Sequence, residues 1–264
     1  MAFLIFLRQS EIIKKTLENL CDKIKFDYWV ISDTGSTDNT PEIIKNFFDE
    51  KNIPGELKHD EWKNFGHNRT LALNHAYNKS DLLLMFDADD GIVGNFILPT
   101  EVKYDLYSVT FGSIVKFKRP CLINNRKKFK YVGVLHEYIE CMEPNSLSCS
   151  IEGDYYFIPG TTSVRNQNPK KYLNDALTLE LAYHQEKDIS NNHLAARYSF
   201  YCANCYRDYG DDANAIKWYK NTLELSGWLQ EKYISSFRLF LLYNKQNMIE
   251  NALYYAVKSC SYDS

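Results

Sequence analysis

Residues 82–90 read Leu-Leu-Leu-Met-Phe-Asp-Ala-Asp-Asp, an apolar run that ends abruptly in carboxylates. A continuous apolar run of this length is typical of a strand that is buried on both faces of a parallel sheet. Ligands bind at the carboxyl ends of such strands, which is where Asp87 and Asp89 would lie. Carboxylates at this spacing suit Mg²⁺ or Mn²⁺ shared with substrate phosphates, whereas the alternative for an isolated Asp-x-Asp is a solvated acidic turn.

Strand and helix patterns alternate on the amino-terminal side of this run. Phe3–Leu7 and Tyr28–Ser32 predict strands, and Thr40-Pro41 predicts a helix start with Thr as the cap and Pro in the first turn. Residues 68–77 predict a further helix just before the acidic strand. This alternation predicts an α/β fold with a mostly parallel sheet flanked by helices.

The stretch from residue 101 to residue 158 has little helical pattern and predicts strands or connecting loops. The strand-like segments are Tyr104–Phe111, Ser113–Lys118, Phe129–Val134 and Asp154–Ile158. A basic loop, Asn124–Lys128, interrupts them. It is either a solvated turn or a mobile flap that meets a phosphate or an acceptor.

The chain becomes helical after Pro169 and carries a weak repeat with a period of 37 residues. The tripeptide at Tyr198 recurs in related form at Ser235, and Asn214-Ala215 recurs as Asn251-Ala252. One helix pair fits each period and resembles tetratricopeptide-type hairpins, and an ordinary helical bundle is the alternative. We therefore expect two domains, residues 1–165 and residues 166–264.

Composition excludes some functions and sets an expectation for the compartment. The net charge of −3 argues against bulk nucleic-acid binding. No stretch predicts a membrane span, and the apolar start lacks the features of a signal peptide. Seven cysteines without a disulfide-like spacing predict a reducing, cytoplasmic setting. Cys202 and Cys205 fit helix packing better than metal or redox chemistry.

The loop that follows the second strand, residues 33–40, reads Asp-Thr-Gly-Ser-Thr-Asp-Asn-Thr. Followed by the acidic strand end, this order resembles the family 2 glycosyltransferases of the GT-A fold. Trp62–Gly66 with Arg69, and Val134–Glu137, resemble elements of a branch that carries tetratricopeptide-like helices after its catalytic domain. The resemblance covers nearly the whole chain and implies a GT-A α/β domain followed by an all-α region.

The resemblance also implies roles for the nucleotide-binding residues. Asp33 would accept a hydrogen bond from the nucleotide base, with uracil expected, and Arg69 would lie near the base or the ribose. Asp89 would bind the metal directly, while Asp87 would contact the ribose or a metal-bound water.

The same resemblance makes His136 a further metal ligand and Glu137 a general base. Asp90 and Asp154 are alternative bases, and His136-Glu137 is alternatively a strand-end pair satisfied by hydrogen bonds. Two stretches depart from the family pattern. Arg8-Gln9-Ser10 replaces the usual Lys-Asn-Glu, and Phe157–Gly160 lacks a histidine that the branch often has there.

These observations predict a metal-dependent, inverting hexosyltransferase that uses a nucleotide sugar, with a UDP-sugar expected. The acceptor would be a hydroxyl group on a glycan, a peptide or a small molecule, and the helical region would select a protein partner or acceptor. Two alternatives are an inactive GT-A domain whose helices form a protein-binding scaffold, and a nucleotidyltransferase on a similar sheet. The sequence lacks the basic, glycine-rich first loop that the last would need to cradle a triphosphate.

Overall fold

The computed structural model describes residues 2–7, 10–160, 164–189, 192–225 and 227–262. The chain divides into two compact units. The first, called the α/β unit below, comprises residues 1–132 and 137–167. The second, called the helical unit, comprises residues 168–264 together with the short segment 133–136.

The α/β unit alternates strands and helices in its first half and is mainly strands in its second half. Its strands are β1 (Ala2–Leu7), β2 (Tyr28–Asp33), β3 (Gly55–His59), β4 (Leu82–Asp87), β5 (Gly91–Gly94), β6 (Leu106–Phe111), β7 (Phe117–Asn124), β8 (Phe129–Val132), β9 (Tyr138–Cys141), β10 (Ser148–Ser150) and β11 (Tyr155–Ile158). Its helices are α1 (Ser10–Lys23), α2 (Thr40–Lys51), α3 (Phe65–Ala76) and the short α4 (Val164–Gln167). Arg8 and Gln9, which depart from the family pattern, lie outside the described residues.

The main sheet has the strand order β3-β2-β1-β4-β7-β6-β11-β5, with β10 added to β6. Strands β1 to β4 are mutually parallel where they pair, and β7 runs antiparallel to both β4 and β6. This mixed but mostly parallel sheet confirms the predicted α/β fold. Strands β8 and β9 form a separate two-stranded sheet.

Both faces of the central strands are buried, which explains the continuous apolar run. Leu84 and Phe86 of β4 pack in a cluster with α1 and α2, while Leu83 and Met85 pack on the opposite face with α3. Because strand side chains alternate between faces, a strand covered by helices on both sides needs apolar residues at every position.

Two local predictions were wrong in their bounds. Helix α2 begins at Thr40, so Asn39 and not Thr40 occupies the cap position. Residues 113–116 form the turn before β7, which continues to Asn124. Pro120 lies within β7 opposite Ser108, where the register with β6 shifts. An irregularity of this kind is where a sheet tolerates proline, which cannot donate to the ladder.

The basic loop at residues 124–128 is a structured turn. Asn124 pairs with Leu82 at the amino end of β4, about 17 Å along the strand from Asp87 at 3.3 Å per residue. Arg126 forms an ion pair with Asp81 at 2.8 Å, and Asn125 is buried. The loop therefore lies at the edge of the sheet opposite the acidic tip, and the flap hypothesis is wrong for that site.

The helical unit consists of consecutive antiparallel helices whose spacing matches the repeat. They are α5 (Lys171–Asp188), α6 (Asn192–Tyr209), α7 (Asp212–Glu224), α8 (Leu229–Lys245) and α9 (Ile249–Cys260). The starts of α6 and α8, and those of α7 and α9, are each 37 residues apart. The predicted helix pair per period is confirmed, and the tetratricopeptide label stays a prediction. In the described residues, no helix is both long and apolar enough to cross a bilayer.

The repeat extends to the backbone of the inter-helix turns. Gly210 ends α6 with φ of 93° and Asn247 ends α8 with φ of 58°, again 37 positions apart. Both are in the left-handed region, which glycine enters without strain and asparagine tolerates better than other residues with side chains. The second copy of the repeat thus has a left-handed residue at the same position, with asparagine in place of glycine.

Replacing Gly210 by alanine is expected to destabilise the helical unit by about 1 kcal/mol, because a Cβ is strained at this φ. Chemical denaturation measures the effect. Gln185→Ala, at an exposed right-handed position of α5, is the control and should change stability by less than about 0.5 kcal/mol. Equal effects of the two substitutions would contradict the assignment.

Candidate active site

The carboxyl ends of β1 to β4 bring the predicted polar residues to one edge of the sheet. Asp33 at the end of β2 pairs in register with His59 at the end of β3. Asp87 ends β4, and β1 lies between β2 and β4. At about 4.8 Å per strand, the backbones of Asp33 and Asp87 are about 10 Å apart. The site therefore depends on the order of the strands in the sheet, which differs from their order along the chain.

Two arginines hold the carboxylate of Asp87. The guanidinium of Arg69 donates to Oδ1 at 2.6 Å, and that of Arg119 donates to Oδ2 at 3.0 Å. Burial disfavours the charged carboxylate, but the two guanidinium groups outweigh that effect and lower the pKa of Asp87 to about 2. Asp87 is therefore ionised over the whole physiological range.

Arg69 links Asp87 to the candidate base. Its Nε lies 2.7 Å from Oε1 of Glu137, and the three side chains are largely buried. The two carboxylates raise the pKa of Arg69 despite its burial, so it remains a cation. The prediction from the resemblance placed Arg69 near the nucleotide base or ribose, and the structure places it between Asp87 and Glu137.

The segment before α3 explains why Arg69 is so well fixed. The side chain of Asn64 accepts from His67 N at 2.8 Å and caps the helix. Buried Asn68 donates to the carbonyl of Glu61 and accepts from Lys63 N, both at 2.9 Å. The Trp62–Gly66 motif is thus a helix start held by two asparagines, and it sets the position from which Arg69 reaches the acidic tip.

Asp90 is buried and holds the tip of the β4–β5 connection together. Its carboxylate accepts from Asp87 N at 3.3 Å and from Gly160 N at 3.0 Å. Burial and the neighbouring charge of Asp87 raise the pKa of Asp90 to about 7. Because its two oxygens accept from the amides of Asp87 and Gly160, the carboxylate of Asp90 holds these two backbone segments in position.

The carboxylate of Asp89 lies directly against the backbone of Gly160. A Cβ at residue 160 would come within 1.9–2.3 Å of the three carboxyl atoms of Asp89. Gly160 is two residues beyond β11, which runs parallel to β6, so it emerges at the same edge as Asp87. Glycine is therefore required at this position by a close approach and not by a turn.

Asp33 is buried at the neighbouring strand end and already has two partners. Its Oδ1 accepts from Ser36 N at 3.0 Å, and its Oδ2 lies 3.2 Å from Nδ1 of His59. A second pair lies beside it, because Asp60 accepts from Ser32 at 2.7 Å and contacts His75 at 3.0 Å. These contacts fix the carboxylate of Asp33 at the rim of the sheet.

Two other predicted residues lie elsewhere. Asp154 precedes β11 at the amino end of that strand, so it is at the opposite edge and is wrong as a candidate base for the acidic tip. His136 belongs to the helical unit, where its ring stacks on Tyr201 with centroids 4.0 Å apart. Its backbone has φ of 53° and its carbonyl accepts from Arg197. Its role as a metal ligand stays a prediction.

The donor set at the tip fits a divalent cation that is shared with a substrate. In the part of the chain that the structure describes, no group of three or more His, Cys, Asp or Glu side chains is arranged to hold a metal alone. Both oxygens of Asp87 face arginines and both of Asp90 face amides. The role of Asp89 as the direct ligand stays a prediction, and Mg²⁺-type sites use one or two carboxylates together with substrate phosphates.

A mixed sheet of this order, with charged residues at the carboxyl edge, is typical of the GT-A fold. Residues 3–129 match the model of glycosyl transferase family 2. The matched residues all lie in the α/β unit, which is therefore similar to glycosyl transferase family 2 over most of its length. The chain is a nucleotide-sugar-dependent glycosyltransferase.

Solved structures of similar fold include residues 1–349 of S. aureus TarS in complex with UDP-GlcNAc. That comparison has 16% identity and a TM-score of 0.50, and it covers 95% of this chain and 88% of the other. The mannosyltransferase PcManGT of Pyrobaculum calidifontis, with GDP-Man and Mn²⁺, has 11% identity and a TM-score of 0.47, with 98% and 86% covered. This chain spans 53% of a longer TarS structure. No curated protein matches the chain.

Sequence reasoning missed Arg119, Gly160 and His59. Arg119 lies opposite Asp87 when the antiparallel register of β4 and β7 is extended by three residues. That pairing depends on a strand whose bounds were predicted wrongly. His59 reaches the site because β3 pairs with β2, which places it opposite Asp33.

Gly160→Ala is expected to lower transferase activity at least about tenfold, because the new Cβ must displace Asp89. Gly91→Ala is the matched control, since its Cβ would meet its nearest neighbour, Asn19, at an ordinary 3.8 Å. Initial rates and melting curves of both variants check this. Full activity of Gly160→Ala would contradict the placement of Asp89.

Removing the buried cation should be costly for stability. Arg69→Met is expected to destabilise the α/β unit by about 3–5 kcal/mol, because it removes the buried cation that pairs with Glu137 and leaves Asp87 with Arg119 alone. Adding Glu137→Leu should recover part of the loss, which a double-mutant cycle by urea denaturation would measure. Strict additivity of the two substitutions would show that the ion pair does not form.

Proposed function

We propose that the chain is a metal-dependent, inverting hexosyltransferase that moves a sugar from a UDP-sugar to an acceptor hydroxyl group. The observation that supports this best is the charged cluster at the carboxyl edge of the sheet, where Arg69 and Arg119 hold Asp87, Arg119 lies 4.0 Å from Asp90, and Asp89 lies against Gly160. Sugar transfer requires two tasks at such an edge. Charge that grows on the leaving diphosphate must be stabilised, and a proton must be removed from the acceptor.

The first task is assigned to the acidic tip. Asp89 would hold Mg²⁺ or Mn²⁺ beside the donor phosphates, and that cation would supply positive charge for the leaving group. Asp87 would contact the ribose or a metal-bound water from the position in which Arg69 holds it. Asp90 and Gly160 would keep Asp89 in place.

The second task is assigned to Glu137. Its side chain is less buried than that of Asp90, whose oxygens bind backbone amides, and Arg69 orients it at 2.7 Å. A carboxylate there would take the proton from an acceptor hydroxyl as its oxygen attacks the anomeric carbon. Direct displacement of the diphosphate then inverts the anomeric configuration.

Recognition of the nucleoside is assigned to Asp33. A fixed, buried carboxylate at the rim is suited to accept a hydrogen bond from a base N–H, as the uracil ring provides. The neighbouring His59, which is well exposed, would adjoin the same base.

The helical unit offers a second surface, for which we propose selection of a glycan, peptide or small-molecule acceptor or of a protein partner. Stacked helix pairs provide an extended surface of the kind that binds other chains. The seven cysteines are free thiols, which supports a reducing, cytoplasmic compartment.

Asp89→Asn is expected to abolish Mn²⁺-dependent transfer, with a loss of more than about 100-fold, and to leave the melting temperature nearly unchanged. Donor hydrolysis by the purified protein with UDP-sugars is the assay, and calorimetry with Mn²⁺ in the presence of UDP reports binding directly. Asp81→Asn, at the amino end of the same strand, is the control and should retain activity.

Two results would contradict parts of this proposal. Retained transfer by Asp89→Asn would reject the metal role. An anomeric configuration preserved in the product, seen by NMR, would reject direct displacement.

A further inference from the structure

Arg119 reaches the acidic tip of the candidate active site from strand β7. Its described ionic partners are confined to the acidic tip, namely Asp87 at 3.0 Å and Asp90 at 4.0 Å. Its guanidinium lies over the ring of Phe111, 5.1 Å from the centroid. About a third of the side chain is exposed (34%), compared with 10% for Arg69.

Asp87 does not depend on Arg119 for a counter-ion. Arg69 donates to Asp87 at the shorter distance of 2.6 Å and is much more buried, with 10% of its side chain exposed. If Arg119 turned away, Asp87 would keep a buried cation. Arg119 is therefore the exchangeable member of the pair.

A nucleotide-sugar donor brings negative charge to an edge that already carries three aspartates. Like charges that lie a few ångströms apart at a protein surface repel each other appreciably. Cations at the tip must compensate for this repulsion when the diphosphate enters. A guanidinium is well suited to do so, because its planar fork donates two hydrogen bonds to phosphate oxygens.

We propose that the Arg119 guanidinium binds the diphosphate of the donor, giving up its contact with Asp87 for phosphate oxygens. Until the donor binds, the carboxylate of Asp87 holds this guanidinium at the acidic tip. This inference rests on the proposed function, because it presupposes a nucleotide sugar at this edge. It adds a donor-binding residue that neither the motifs nor the resemblance indicated.

The test separates phosphate binding from base binding. Calorimetric titrations of the full chain in EDTA, with UDP and with uridine, compare wild type with Arg119→Gln and Arg119→Lys. Arg119→Gln is expected to weaken UDP binding about tenfold or more while changing uridine binding less than about twofold. Arg119→Lys keeps the charge but not the planar fork, so its affinity for UDP should lie between those of wild type and Arg119→Gln. GDP with guanosine repeats the comparison for a purine donor.

Lys118→Gln is the matched control. Lys118 is the preceding residue on β7, points to the other face of the sheet and pairs with Glu152 at 2.7 Å. It should bind UDP like wild type, and melting curves should show all variants folded.

The results distinguish a failed inference from a failed function. Unchanged UDP binding by Arg119→Gln, or an equal loss of UDP and uridine, would overturn the role of Arg119 while the proposed function stands. If wild type binds neither UDP nor GDP, with or without Mn²⁺, the proposed function fails and this inference falls with it.

Discussion

The ion pair between Asp87 and buried Arg69 is the constraint on which the site depends. Asp87 ends a strand whose other residues are buried on both faces, so its charge lies at the boundary between a low-dielectric core and the solvent. An uncompensated carboxylate at that boundary would be protonated or would turn outward. Arg69 prevents both, and its contact with Glu137 extends the same charge network to that candidate base.

A second constraint is steric and involves the chain that returns after β11. Asp90 accepts the amide of Gly160, and Asp89 lies against the same glycine. The acidic tip is thus bounded on one side by arginines and on the other by a backbone without a Cβ. Each of its three aspartates has a different environment, which explains how neighbouring carboxylates can serve different roles. Asp87 is ionised between two arginines, Asp90 accepts from backbone amides, and Asp89 lies against the backbone of Gly160.

In the helical unit, the sequence repeat can be compared directly with the backbone geometry. Its repeat of 37 residues is weak in side chains but regular in helix starts and in the left-handed turns at Gly210 and Asn247. Packing between successive helices requires only apolar residues of suitable size, whereas a turn requires a particular backbone conformation. The period therefore survives in the turns better than in the cores.

The sequence by itself determined the fold class, the acidic strand end, the Asp33 loop and the period of the helices. These features are local, since strand burial, turn chemistry and helix spacing are written in consecutive residues. It could not determine what Arg69 contacts, that Arg119 faces Asp87, or that Gly160 meets Asp89, since these residues are separated by 18, 32 and 71 positions. Strand order and antiparallel register bring them together, and both are decided by the packing of the whole sheet. The tertiary structure alone therefore assigned the arginines to the acidic tip and removed the basic loop and Asp154 from it.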